Sequence, residues 1–228
     1  EGKIYVPSNL GVIHVLNTDG TVDTTYDGDT FAPITPYSVF IHNEDIYIAD
    51  YDHNRIVVLN LDGTASTSYN LSFSPSDVVV SDNGNMYVVG YSSVFLLNGN
   101  GTEIAEYDGD ILAPISPTNI KLATSGEIYL NDITNNRIVI LDENGSSTAS
   151  YNGDTFAPIY PFGITLSDSG EIYIADSADY TGNGRIVILN SDGTASTTYS
   201  TKIEATPDED YPGANSDVII IDDTVTLT

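Results

Sequence analysis

A β-propeller is the fold this 228-residue sequence predicts, and three observations predict it. Tyrosines 5, 47, 87, 129 and 173 mark a returning motif with spacings of 42, 40, 42 and 44 residues. A four-stranded propeller blade occupies roughly 40–45 residues. Each unit contains four short strand-like segments parted by turn residues, and no stretch carries a helical period.

The four segments are called A to D, from the propeller axis outward. Segment A is an apolar run such as 76–80 or 162–166, and B is the Ile-Tyr-Ile-Ala type of run that holds the marker tyrosine. Segment C is the Arg-Ile-Val-Ile-Leu type, continuously apolar like B, as expected where both faces of a sheet are covered by neighbouring blades. Segment D is rich in Ser and Thr and ends in Tyr26, Tyr69, Tyr107, Tyr151 or Tyr199, which suits an outer, solvated edge. Short polar turns join A to B. Asx-rich turns closed by Gly20, Gly63, Gly101, Gly145 and Gly193 join C to D, where glycine supplies a hairpin's positive φ.

Five copies of B-C-D can be counted, together with five copies of A and a sixth partial B, all within one domain spanning 1–228. The tail Asp217-Val218-Ile219-Ile220-Ile221 reads as strand A, and Val225 to Thr228 as the partial B. That last A strand could close the ring by joining the first blade, which lacks its own, giving five blades and one surplus strand. The alternative is six blades, one of them incomplete or completed by another chain. An unpaired, β-branched terminal strand is also a template for association.

The repeat resembles the NHL repeat. Pro161-Phe162-Gly163-Ile164, Gly170-Glu171-Ile172-Tyr173-Ile174-Ala175-Asp176 and Arg185-Ile186-Val187-Ile188 carry the match best. The resemblance covers nearly the whole chain and favours six blades. It implies a fold that serves many functions, among them calcium-dependent lactonases, esterases and lyases. The first unit departs at Pro7-Ser8-Asn9 and the third at Gly90-Tyr91-Ser92, so both lack the Asp and the later Asn-Arg of the pattern.

The charge balance narrows the partners. With 33 acidic against 6 basic residues the formal net charge is −27. Nucleic-acid affinity needs Lys and Arg to displace counterions, so nucleic acid is excluded as a partner, RNA included. Anionic membranes are disfavoured too, and no apolar run is long enough to insert in one. There is no cysteine, hence neither disulfide nor thiolate metal site. The chain opens at Glu1 almost inside a strand pattern and without a signal peptide, as expected of a processed form or an excised domain.

Three near-identical D-to-A loops hold the candidate metal ligands. They are Asp27-Gly28-Asp29, Asp108-Gly109-Asp110 and Asn152-Gly153-Asp154, each followed by Phe or Leu, Ala, Pro and Ile. Asp27, Asp29, Asp108, Asp110 and Asp154 are the oxygen donors that calcium, a hard cation, would take. The competing reading is an Asx turn that redirects the chain. In the B-to-C loops, Asp50 with Arg55, Asp132 with Arg137 and Asp176 with Arg185 are expected to fix loop shape through charge-assisted hydrogen bonds. The loop from 200 to 216 reads as a solvated acidic insertion.

Sequons at Asn70, Asn100 and Asn144 point to a surface glycoprotein. His14, His42 and His53 fall at different heights of the blades and form no three-histidine metal site. Asp77, Asn119 and Asp217 recur near the starts of A strands, where an axial ion would sit. No nucleophile–base spacing stands out. The sequence therefore reads as an extracellular or cell-surface binding or scaffold module rather than an enzyme. Its expected partners are protein or glycan ligands, or further copies of itself through the surplus strand, with calcium as a stabilising ion. The alternative is a divalent-metal hydrolase or lyase with its site in the central channel.

Overall fold

The computed structural model describes residues 2–177 and 184–200, and it is an all-β propeller of five antiparallel blades. Blade one holds β1 (Lys3–Ser8), β2 (Val12–Asn17) and β3 (Val22–Tyr26). Blade two holds β4 (Pro36–His42), β5 (Asp45–Asp50), β6 (Arg55–Asn60) and β7 (Ala65–Asn70). Blade three runs through β8 (Asp77–Val80), β9 (Met86–Val89), β10 (Val94–Leu97) and β11 (Glu103–Tyr107). Blade four has β12 (Pro117–Leu122), β13 (Ile128–Asp132), β14 (Arg137–Leu141) and β15 (Ser147–Tyr151). Blade five has β16 (Pro161–Leu166), β17 (Ile172–Asp176), β18 (Arg185–Leu189) and β19 (Ala195–Ser200). Each sheet is ordered as in sequence, so four blades are four-stranded meanders and blade one is three-stranded among the described residues. The count is five, not the six that the NHL resemblance favours. The tail segments from 201 onward, including Asp217 and the acidic loop, lie outside the described residues, as does most of the last B-to-C loop.

The strands form where the repeat placed them because β-branched and apolar residues fill both faces of B and C. In blade two, Ile46, Ile48, Val57 and Leu59 point backward onto blade one and are fully buried, while Ala49, Ile56 and Val58 point forward onto blade three. The same division recurs at Ile128, Leu130, Val139 and Leu141 of blade four and at Ile172, Ile174, Val187 and Leu189 of blade five. A fully buried aliphatic side chain contributes about 1.5–3 kcal/mol. The four that line each seam therefore outweigh any single polar contact there, which nets about 1 kcal/mol.

A second junction lies at the rim. In blades one to four the tyrosine at the end of the D strand slides its ring beneath the C-to-D turn of the next blade. Tyr26 Oη donates to the Leu61 carbonyl at 2.8 Å, Tyr69 to Gly99 at 3.0 Å and Tyr107 to Glu143 at 3.0 Å. Each ring lies flush against the turn glycine. A Cβ on Gly145, whose φ is +82°, would sit 2.1 Å from the Tyr107 ring. The glycines are thus required twice, by a left-handed backbone and by the ring packed on them.

At the axis the A strands are joined by a short polar chain. Asp77, fully enclosed, accepts from Asn119 Nδ2 at 2.7 Å, from the Ile120 amide at 2.9 Å and from the Val78 amide at 2.9 Å. Asn119 Oδ1 in turn accepts from the Ile164 amide at 3.2 Å. Asp77 and Asn119 therefore face each other and tie blades three, four and five together. Burial pushes the Asp77 carboxyl above its ordinary value, against the pull of the Lys121 ammonium and the hydrogen bonds it accepts.

Two outcomes follow from this packing. Replacing Gly145 by Ala should cost about 1–3 kcal/mol, read as a lowered midpoint in chemical denaturation, because neither the ring nor the turn can yield freely. For Asp77 the folded state holds its proton more tightly than the unfolded chain. Its contribution is therefore complete below the unfolded pKa and declines as pH rises through the raised folded value. The stability of wild type relative to Asp77→Asn should thus fall as pH rises above the ordinary carboxylate pKa of about 4; a flat or rising difference would contradict a raised carboxyl.

Candidate functional site

The D-to-A loops and B-to-C loops meet on one face, and their contacts explain the acidic residues singled out above. Gly28, Gly109 and Gly153 adopt φ near +95° and open three short 3₁₀ turns at Asp29–Phe31, Asp110–Leu112 and Asp154–Phe156. Asp27 Oδ1 accepts the Asp29 amide and Asp108 Oδ1 the Asp110 amide, both at 3.0 Å, while Asn152 Oδ1 does the same for Asp154 at 3.2 Å. Asp29 Oδ2 reaches the Ala65 amide at 2.8 Å and Asp154 Oδ2 the Ala195 amide at 3.0 Å, each on the outer strand of the following blade. Asp27 and Asp108 thus serve as turn caps and Asp29 and Asp154 as interblade clips, while in the loop of Asp110 the Gly109 carbonyl accepts the Ser147 hydroxyl of the following blade. Among the described residues no three His, Cys, Asp or Glu side chains converge on a common point.

The Asp–Arg pairs stand beside them. Asp50, Asp132 and Asp176 are enclosed and pair with Arg55, Arg137 and Arg185 at 2.6, 2.8 and 2.7 Å. Each guanidinium also donates to a carbonyl of the preceding D-to-A loop: Phe31 and Pro33 for Arg55, Leu112 for Arg137, Phe156 and Pro158 for Arg185. The second oxygen of each aspartate takes a backbone amide at Thr35, Ser116 or Tyr160. These pairs lock the two kinds of loop to one another, the structural role the sequence predicted. Blade three, which lacks the pair, uses a stacked Phe73 and Phe95 with ring centroids 3.9 Å apart. Gly90 is needed beneath them, since a Cβ there would come within 2.6 Å of Phe95.

The histidines are dispersed, as the sequence indicated. His14 lies in β2, and His42 closes β4 beside Asn43 at 2.8 Å. His53 stands in the loop after β5 with Nδ1 2.8 Å from Asp50. Asn135 occupies the corresponding place in blade four and reaches Asp132 at 2.8 Å, so His53 performs a loop-bracing task that an amide also performs. Asn70 is exposed at the end of β7, and Asn100 and Asn144 are exposed in C-to-D turns.

What the sequence reading missed is a cleft of about 400 Å³ on the loop face of blades two to four. Tyr37 and Tyr51 stack at its edge with centroids 4.7 Å apart, and Tyr91 stands 93 % exposed opposite. Ser74, Ser116, Thr118 and Thr134 supply hydroxyls, and among the described residues no charged side chain lines it. Phe162 and Leu10 are exposed at the start of β16 and in the loop after β1. The signal was present in the sequence. Tyr37 and Phe162 directly follow the prolines that begin A strands, Tyr51 directly follows β5, and Tyr91 follows β9 after Gly90, at strand ends where little is available to cover a ring.

No protein-family model and no curated protein matches the chain. The fold does match solved structures. Virginiamycin B lyase from Staphylococcus aureus superposes with a TM-score of 0.69 at 18% identity, over 89% of this chain and 68% of that one. A streptogramin B lyase gives 0.67 at 20%, over 87% of this chain and 64% of its own. A protein of unknown function from Bacteroides caccae gives 0.71 at 15%, over 89% and 79%. The chain thus spans about two-thirds of the length of the two lyases. The expectation of a non-enzyme needs correction: it rested on the lack of a catalytic spacing, and two proteins that share this propeller are lyases. At these identities the likeness establishes the β-propeller fold.

Proposed function

We propose that this propeller, built of NHL-type repeats, is an extracellular or cell-surface binding module whose loop face receives a neutral glycan. The observation that carries the reading is the cleft itself: tyrosine rings beside a row of Ser and Thr hydroxyls, without a charged side chain among the described residues. Concave sites lined by aromatics with a few placed polar groups are the usual form of small-ligand sites. Rings such as Tyr37 and Tyr91 offer flat apolar surface to the hydrophobic face of a sugar, and the hydroxyls offer hydrogen bonds. A net charge of −27 repels anionic ligands and leaves neutral ones indifferent to salt. The exposed sequons at Asn70, Asn100 and Asn144 agree with a surface location.

A second reading, lyase activity, is favoured by the two lyases that share the fold and by His53, an imidazole held by the enclosed Asp50 in the same loop as Tyr51.

Titration of the full chain with a panel of neutral and acidic oligosaccharides, followed by calorimetry, tests the first reading. A neutral member should bind, and Tyr91→Ala should weaken it about tenfold, as loss of a central aromatic anchor does. Binding confined to acidic sugars, or unchanged in Tyr91→Ala, would refute it. Incubation with a streptogramin B and mass spectrometry of the products tests the second: turnover lost in His53→Ala supports a lyase, and an intact substrate refutes it.

A further inference from the structure

The axial strands of blades two, four and five are bulged at the same place. Between β4 and β5, Pro36 faces Asp50 and Ser38 faces Ala49, so Tyr37 is the extra residue. Between β16 and β17, Phe162 is the extra residue by the same count. Between β12 and β13 the register passes from Pro117 opposite Asp132 to Ile120 opposite Leu130, which sets Thr118 and Asn119 against Asn131 alone. A bulge takes its extra residue out of the ladder and re-aims the side chain. Tyr37, Thr118 and Phe162 are accordingly exposed, and Tyr37 and Thr118 line the cleft.

Blade four departs from the other two in what faces the bulge. Blades two and five place Ala49 and Ala175 there, and blade four places Asn131, which is fully buried. A buried amide where alanine suffices breaks the repeat, and such breaks gather at functional sites. The network fixes which way this amide points. Its Oδ1 accepts the Thr118 amide at 3.2 Å and the Asn119 amide at 2.6 Å, so Nδ2 is left to donate. Nδ2 lies 2.9 Å from Thr118 Oγ1, and 3.1 and 3.2 Å from the carbonyls of Pro161 and Phe162. The consequence falls on Thr118. A hydroxyl has one proton and two lone pairs. With one lone pair taken by Asn131, the hydroxyl is polarised and its proton points away from that amide as a strengthened donor. Ser74 is set the opposite way: its hydroxyl donates to Asn54 Oδ1 at 2.7 Å, which leaves it to accept.

We propose that Asn131 is a positioning residue of the cleft, holding the Thr118 hydroxyl as a hydrogen-bond donor to an acceptor oxygen of the bound ligand. The proposal rests on the glycan reading above and sharpens it. The glycan meets Thr118 with a hydroxyl, ring or carbonyl oxygen that accepts, and meets Ser74 with a hydroxyl that donates. Asn131 reaches the ligand only through Thr118, because it is itself enclosed between β12 and the start of β16.

The test is calorimetry on the full-length protein with the tightest-binding neutral oligosaccharide of the panel above. Thr118→Val should weaken binding about fivefold, the worth of one hydrogen bond, and Thr118→Ser should leave it near wild type. Asn131→Ala should weaken binding by the same factor as Thr118→Val, and the double variant by no more than either alone. A merely structural role for Asn131 would add its loss to that of Thr118→Val. Additive losses, or wild-type affinity in Thr118→Val, overturn the proposal and leave the glycan reading standing. If wild type binds no neutral oligosaccharide, the glycan reading falls and this proposal falls with it. NMR supplies a second measurement that needs no change at Asn131. Saturating ligand should shift the Asn131 side-chain amide resonances in wild type and leave them in place in Thr118→Val. Resonances that stay still in wild type, or move equally in both proteins, overturn the proposal.

Discussion

Every sheet in this molecule is hydrophobic on both sides, and that one constraint determines the rest. A sheet with one apolar face is satisfied by a single partner, but a sheet with two must be sandwiched. Twisted sheets sandwiched in series around an axis make a ring, and no helix is needed to cover them. The seams built on Ile46 and Ile48, on Ile128 and Leu130, and on Ile172 and Ile174 are three instances of one solution. They also explain how a chain with 33 acidic residues stays folded: its charge lies in turns, loops and outer strands, while the interblade layers are almost purely aliphatic.

Polar groups enter only where they align one blade with the next. At the axis Asp77 and Asn119 do this, in the loops the enclosed aspartates with their arginines, and at the rim the Asp-Gly-Asp turns. Three of the six basic residues are spent on these loop pairs, so they carry little weight in the surface field. Blade three shows that the alignment matters more than the chemistry used for it, since Phe73 on Phe95 replaces an ion pair at the same junction.

The fold was readily legible because its evidence is local and repeated: the tyrosine period, the glycine turns and the apolar B and C runs recur in sequence. The roles of the acidic loops were harder to read. Asp29 and Asp154 resemble calcium ligands by spacing, but their partners are amides 36 and 41 residues away, at Ala65 and Ala195, and neither amide carries a sequence signature. The D-strand tyrosines looked like edge residues for the same reason: their partner glycines belong to the next repeat. The cleft went unseen because its lining is shared among three blades, so the tyrosines at the strand ends come together only once the ring has formed. The absence of a nucleophile–base spacing suggested a non-catalytic chain, yet a propeller assembles its sites from separate blades, where linear spacing carries no information.

The rim contacts have a direction. Tyr26, Tyr69, Tyr107 and Tyr151 all reach forward, and Gly63, Gly101, Gly145 and Gly193 all receive from behind. Blades two to four therefore each carry both a key at the end and a lock near the middle, and the four joints share one geometry. A gene encoding such units can gain or lose one whole repeat without inventing a new joint. Ring size in this lineage is then open to change by duplication, while the individual blade stays as it is.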